Sequence, residues 1–438
     1  MGNRYSVIIA SAIVMLSVVG ISHAAVEKAD LAEPLSIDQA VKMALRDNAA
    51  VREAHDEVAA ARAQIGESRS QSFPELIGES AYTHLTNVPV FNLGPGETIA
   101  LAAHDDVIST ITLRQSVYTG GRITGNISRA EALYDAAVGS LGVTQNEVGL
   151  QTRQAYYAVL LDQALVRSAE ATLTAAQKQL TDATSRYDAG TSARYDVLRA
   201  KTQVSQAQQT LVEAQNQVEI AEVALNRILG VSLERRYTLS DPAQPAAEKD
   251  EISTLIETAV RQRAEILSAH ARVAAAELGI KIARSGRYPQ VDVSASYQDI
   301  TVETPSLVPG YAIMATVSEE IFDGGRIHSS IQEAKSRRDE AKVQLDDTIR
   351  MVEQETRQSF LNLETARKTE ETAKDTLAQA QEAFDVATVR YQAGVGTATE
   401  IADALASLTS ARTNLDNAQY GYSVAYATLQ RALGKTTY

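Results

Sequence analysis

A mainly α-helical fold with a smaller β component is predicted for this 438-residue chain. It reads as two copies of one unit, each a coiled-coil helical hairpin joined to a pair of membrane-type strands, four strands per chain. Three observations predict it. The chain repeats itself in register over most of its length. Each copy holds a helical run that, at 1.5 Å per residue, extends for roughly 100 Å. Each copy also carries segments of about ten residues alternating apolar and polar side chains, the length and pattern of transmembrane β-strands.

The duplication fixes the domain organisation. Gly120 in "TGGRI" (Thr119 to Ile123) matches Gly324 in "DGGRI" (Asp323 to Ile327), an offset of 204 residues (324 − 120). The same offset pairs "RYDAG" (Arg186 to Gly190) with "RYQAG" (Arg390 to Gly394), and "RILG" (Arg227 to Gly230) with "RALG" (Arg431 to Gly434). Upstream, Phe73-Pro74 pairs with Tyr288-Pro289 at an offset of 215 (289 − 74), together with Tyr82 and Tyr297, Arg69 and Arg284, and Ala44 and Ala259. The first copy therefore has 11 additional residues (215 − 204) between Tyr82 and Gly120. The stretch there, "THLTNVPVFNLGPGETIALAAHDD", is rich in Gly, Pro and Asn and predicts a longer loop. Repeat one spans 36–233 and repeat two 252–438; the connector, 234–251, ends in the polar, proline-containing "SDPAQPAAEKDE".

Taken in order, the first element is the segment 1–25. It has an early positive charge at Arg4, an apolar run from Val7 to Ile21, and small residues at Ser22, Ala24 and Ala25. It reads as a secretory signal peptide cleaved near Ala24 or Ala25. The alternative, an uncleaved anchor, fits less well, because the run is shorter than the ~20 residues a spanning helix needs. Each repeat then opens with a helix followed by two strands. In repeat two the first strand sets Val291, Val293, Ala295 and Tyr297 against polar Gln290, Asp292, Ser294, Ser296 and Gln298. The return strand sets Tyr311, Ile313, Ala315 and Val317 on one face, and its partner in repeat one has Val107, Ile111 and Leu113 in the same phase, with Ser109 as the exception. The long helix follows, proline-free from Gly121 to Tyr187. After a glycine turn comes a helix with a strict heptad: Val197, Val204, Leu211, Val218 and Leu225 in one row, Ala200, Ala207, Ala214, Ala221 and Ile228 in the other. Repeat two has Ile401, Leu408, Leu415, Tyr422 and Leu429 against Ala404, Ala411, Ala418, Ala425 and Ala432. A large row beside an alanine row lets helices approach closely and favours a left-handed supercoil.

Composition excludes several function classes. The formal net charge of −14 lacks the basic stripe of a nucleic-acid binder. With no cysteine, disulfides, thiolate metal sites, cysteine nucleophiles and a lipidated cysteine are ruled out. His55, His84, His104, His270 and His328 show no ligand spacing and are expected on surfaces or loops. No cofactor or metal is expected. "YQAGVGTATEIADAL" (Tyr391 to Leu405) has glycines, but a helix precedes them and acids rather than a lysine follow, against a phosphate loop. Glu400 and Asp403 lie side by side on one helix rather than across a substrate, against a glycosidase pair. Gly394 and Gly396 are expected to break two antiparallel helices, with Thr397 or Thr399 capping the second.

These residues resemble the outer-membrane efflux protein family, the TolC-like channels. The resemblance rests on the duplication, the strand entries "FPEL" and "YPQV", the junctions "YTGGR" and "FDGGR", and the turns "RYDAG" and "RYQAG", in the same order twice. It implies a homotrimer in which four strands from each of three chains close one outer-membrane β-barrel, while the helices form an α-barrel across the periplasm. Four strands are too few to close such a barrel alone. The implied role is a passive exit duct for a tripartite efflux pump or a type I secretion system, carrying small molecules or proteins. It would dock a periplasmic adaptor and, through it, an inner-membrane transporter.

The resemblance also implies site residues. Glu400 and Asp403 match the acids that constrict the periplasmic entrance, three copies making a ring of carboxylates that attracts cations. Asp196 and Tyr391 match polar contacts that hold the aperture shut by linking the repeats. An arginine that often joins that closure is Gly396 here, which leaves Arg194 and Arg390 as candidates to compensate. In repeat one the match to Asp403 is Arg199. The turns Ala189, Gly190, Thr191, Ser192 and Ala393, Gly394, Val395, Gly396, Thr397 are the expected adaptor-docking tips. Arg122 and Arg326 are expected to be structural, and Glu319 and Glu320 stand where the family has polar residues or proline. A periplasmic coiled-coil adaptor, the main rival, should have one hairpin and a small β-module. A purely structural coiled coil would not need the strands.

Overall fold

The computed structural model describes residues 34–94, 97–242, 245, 250–301 and 310–435; the signal segment 1–25 lies outside them. Repeat one runs α1 (Ile37–Asp47), α2 (Ala49–Ser70), β1 (Glu75–His84), β2 (Val90–Gly94), β3 (Glu97–Ala100), β4 (Asp105–Tyr118), α3 (Arg122–Asp188) and α4 (Arg194–Leu229). Repeat two runs α5 (Ile252–Gln262), α6 (Ala264–Ser285), β5 (Gln290–Thr301), β6 (Gly310–Ser318), α7 (Arg326–Gln392) and α8 (Ala398–Ala432).

Two features differ from the sequence expectation. The single helix expected before the strands is two, α1–α2 and α5–α6. The chain turns extended at Asn48 (ψ 134°), whose side chain accepts from Ala50 N and donates to the Ile228 carbonyl 2.8 Å away. One side chain thus satisfies a helix start and ties it to α4. The expected loop between Tyr82 and Gly120 folds as a second, two-stranded hairpin, with β2 and β3 paired from Val90↔Ala100 to Gly94↔Glu97.

The main sheet is antiparallel in the order β1-β4-β5-β6. β1 pairs with β4 from Glu75↔Arg114 to His84↔Asp105, and β5 pairs with β6 from Gln290↔Ser318 to Gln298↔Gly310. Moving the Glu75↔Arg114 pair by the two offsets, 215 and 204, lands on Gln290↔Ser318, so the duplication extends to strand register. Across the sheet one face gathers Leu76 and Tyr82, Ile111 and Leu113, Ala295 and Tyr297, then Ile313 and Tyr311. The other gathers Glu79, Thr110, Gln298, Ser294 and Thr316. A solvated sheet with its apolar side out is unfavourable in water and suited to lipid. Among the described residues β1 and β6 each leave one edge unpaired, which hydrocarbon does not tolerate. Among the described residues no helix is long and apolar enough to cross a membrane.

Below the sheet, α3 and α7 are each 67 residues long, about 100 Å at 1.5 Å per residue. α3 packs on α4 and α8, and α6 lies between α3 and α7. The heptad rows face inward: Ala200, Ala207, Leu211, Ala221 and Leu225 are buried in α4, as are Ile401, Leu408, Ala411, Ala418, Tyr422 and Leu429 in α8. The core is split in two, matching the duplication. One cluster includes Val51, Tyr156, Val159, Leu225 and Leu229, and the other Leu255, Val352, Leu363, Leu429 and Leu433. The connector folds back on the first: Leu239 bridges Leu35, and the Tyr156 hydroxyl lies 2.7 Å from the Leu35 carbonyl oxygen and 2.6 Å from that of Ser240.

Candidate functional site: the helical tips

The two glycine turns are built alike. Gly190 (φ 75°) and Gly394 (φ 77°) take the left-handed conformation that ends a helix, and Gly190 N and Gly394 N donate back to Tyr187 O and Tyr391 O. Thr397 caps α8, its hydroxyl accepting from Glu400 N at 3.2 Å, which sets Glu400 in the first turn where the helix dipole favours an acid. Thr399, the other candidate cap, accepts instead from Arg199 at 2.6 Å. Most of the expected docking residues, Ala189, Gly190, Thr191, Ala393, Gly394, Val395 and Thr397, are exposed, while Ser192 and Gly396 are half-buried.

The two acids share one exposed groove. Glu400 and Asp403 line an open cleft of about 640 Å³ with Glu382, Val386, Ala387 and Arg390, between α7 and α8. Arg390 Nε lies 3.6 Å from Glu400 Oε2, and both are about half exposed, so the pair contributes little to stability. A Cβ on Gly396 would stand 2.9 Å from Tyr391 N and 3.0 Å from the Arg390 carbonyl carbon. No side chain, the arginine of the family pattern included, fits there unless the turn shifts.

Within the chain the repeats are linked at the tips by Arg186 and Arg199, neither of them among the expected closing contacts. Arg186 stacks its guanidinium 4.5 Å from the centre of the Tyr391 ring and donates to the Gln392 carbonyl at 3.0 Å. Arg199 reaches Thr399 from α4 to α8. Asp196 makes no hydrogen bond to Tyr391; it accepts from Ser192 Oγ at 3.3 Å. Its influence on Tyr391 is electrostatic. Burial pushes that hydroxyl above the ordinary tyrosine range, Arg186 opposes the shift, and the charges of Asp196 and Asp182 add to it. Arg194 is exposed and joins no ion pair among the described residues. The signal for Arg186 was present, since it heads the motif that Arg390 heads in repeat two. The signal for Arg199 was its pairing with Asp403.

Elsewhere, Asp323 caps α7, accepting from Ile327 N at 2.7 Å and Gly325 N at 2.9 Å, bonds that hold its carboxyl below the usual range. Arg326 pairs with Glu320, and Arg122 is exposed. His55, His270 and His328 are exposed on helices; His84 lies beside Asp105, and the His104 ring faces the Leu85 carbonyl. Among the described residues no group of three or more His, Asp or Glu is arranged to hold a metal ion.

Comparison with known proteins bears on the chain as a whole. The sequence profile of the family described as outer membrane efflux protein matches residues 40–231 and 255–435, one match per repeat. The outer membrane protein TolC of Escherichia coli strain K12 is 25% identical over 423 residues, covering 92% of this chain and 83% of that protein. The outer membrane efflux protein BepC of Brucella suis is 25% identical over 350 residues, covering 79% and 76%. Among solved structures, the outer-membrane channel OprN superposes with a TM-score of 0.77 at 20% identity, covering 91% of this chain and 90% of that one.

Proposed function

The chain belongs to the outer membrane efflux protein family, and from that premise we propose that three copies form a duct whose periplasmic end is gated by Glu400 and Asp403. It is an outer-membrane exit duct of an efflux or secretion system. The observation that carries the reading is the sheet: one largely apolar face, crossed by the row Ser80, Ser109 and Asp299, and, among the described residues, two open edges at one end of paired helices about 100 Å long. Only closure with further copies removes those edges from lipid. We infer a passive conduit without catalysis, in which the turns Ala189–Ser192 and Ala393–Thr397 meet a periplasmic adaptor that couples the duct to an inner-membrane transporter.

The acidic groove supports the gate. Glu400 and Asp403 are exposed, and three copies converging at a helical aperture would raise the local concentration of cations and repel anions. Purified protein in a planar lipid bilayer should form small cation-preferring pores. Combining Glu400→Ala with Asp403→Ala should lower the cation-to-anion permeability ratio by roughly twofold or more, read from the reversal potential in a KCl gradient. A double variant that keeps the wild-type reversal potential removes these acids from the gate.

A further inference from the structure

Resting on the assembly proposed above, we propose that two tyrosines of repeat one, Tyr195 and Tyr187, form an inter-subunit latch with Asp403 and Arg390 of a neighbouring copy. The inference comes from the duplication. The sheet register is carried from repeat one to repeat two by the sequence offsets, so the step from one repeat to the next is a structural operation as well as a sequence match. Applied once more, that step carries repeat two onto repeat one of the next copy. Every contact from repeat one to repeat two inside the chain then has an image from repeat two to a neighbour's repeat one.

At the tips, two contacts are carried across. Arg186 over the Tyr391 ring, donating to the Gln392 carbonyl, becomes Arg390 over the neighbour's Tyr187 ring, donating to its Asp188 carbonyl. Arg199 donating to Thr399 becomes the neighbour's Tyr195 donating its O–H to the Asp403 carboxylate. The chemistry survives the exchange. A long arginine meeting a short threonine is replaced by a short aspartate meeting a long tyrosine, so the combined reach is kept and one donor still faces one acceptor.

The exposures agree. Tyr391, covered by Arg186, is 7% exposed, whereas its counterpart Tyr187 is 44% exposed. Tyr195 stands 69% exposed in the first turn of α4. Among the described residues the Arg390 side chain has a 3.6 Å approach to Glu400 and a 3.5 Å contact with the Val395 carbonyl. These are large aromatic surfaces and a cation left at the edges the neighbour would meet. Position 396 takes a side chain only if the turn shifts, and the latch needs none there.

The chain has no cysteine, so paired substitutions give a clean test. Tyr195→Cys with Asp403→Cys, bridged in membranes by a bifunctional thiol reagent of about 8 Å span because the replaced side chains reach farther than a disulfide can, should run on a non-reducing gel as a covalent trimer. Ser80→Cys with Val317→Cys reports the assembly separately, because the Leu113↔Ala295 pair has Val317↔Ser80 as its image between copies. A trimer from the strand pair with none from the tip pair overturns the latch and leaves the assembly standing. No trimer from the strand pair overturns the assembly and the latch with it. In bilayers Tyr195→Phe, which loses one hydrogen bond per seam, should shift the closed-to-open ratio by roughly fivefold per seam. Tyr187→Phe keeps the ring that the arginine covers and should gate as wild type. Equal behaviour of the two phenylalanine variants overturns the assigned roles.

Discussion

At the scale of single residues, the two Gly-Gly junctions expose how one motif meets two environments. Gly120 (φ 61°) and Gly324 (φ 63°) have the same left-handed backbone, but a Cβ on Gly120 would meet Ser285 O at 2.7 Å and Tyr288 Cβ at 2.8 Å, while one on Gly324 meets nothing within 4 Å. Taken alone, Gly324→Ala should cost only the left-handed penalty of about 1 kcal/mol, and Gly120→Ala about 3 kcal/mol with the overpacking added. In the proposed assembly Ser70 and Phe73 of a neighbour would take the places of Ser285 and Tyr288, and Phe73 is exposed in the single chain. Gly324→Ala should therefore lower the melting temperature of the assembled protein about as far as Gly120→Ala, by circular dichroism. A much milder Gly324→Ala would mean that no neighbour seats there. The same comparison marks what was legible in the sequence. Glycines and caps follow from local chemistry and could be read. That Arg186, rather than Asp196, covers Tyr391 could not, since it depends on which face of α3 turns toward α7.

At the scale of elements, strands, long helices and hairpins were legible because each carries its own periodicity, and the duplication let a weak pattern in one copy be checked in the other. The break between α1 and α2 was not, because it is made by a tertiary contact, Asn48 to Ile228. Its counterpart shows the two copies diverging. Arg263, 2% exposed, occupies the break between α5 and α6 and pairs with Glu265 and Glu355, while Arg431 reaches Glu355 at 2.8 Å and Glu265 at 3.3 Å. Burial pushes the Glu265 carboxyl up, but hydrogen bonds and charge from Arg263, with the charge of Arg431, more than offset it and hold it below the ordinary range. A carboxyl held down in the fold contributes stability that is present above its unfolded value and lost as pH falls through the folded one. The loss thus belongs below about pH 4. Glu265→Gln should melt lower at neutral pH by roughly 2–4 kcal/mol, because the buried guanidinium loses a charged partner. Its melting temperature should also fall less than that of wild type between neutrality and acid. Parallel pH profiles would show that Glu265 is not the group responsible.

At the scale of the whole molecule, the chain is a duplicated unit to which repeat one adds an element, the hairpin β2–β3, and whether that addition belongs to the duct can be decided. The strand pair β1–β4 runs without a break to His84↔Asp105, and Leu85 N donates to the His104 carbonyl at 2.8 Å just beyond it. The ladder is therefore closed before the hairpin begins. Among the described residues β2 and β3 pack chiefly on each other. Val90, Phe91 and Ile99 are exposed on the hairpin. Its described residues belong neither to the main sheet nor to either core cluster. Replacing residues 86–103 by Asn-Gly leaves Leu85 and His104 flanking a two-residue turn of the type whose twist suits antiparallel strands. The shortened protein should assemble, insert and conduct in bilayers like the wild type, because every strand pair that closes the barrel is retained. A pore of unchanged conductance and ion preference would confine the hairpin to events beyond the barrel mouth. Failure to assemble would make it part of the fold, and repeat one would then be a distinct element rather than a lengthened copy of repeat two.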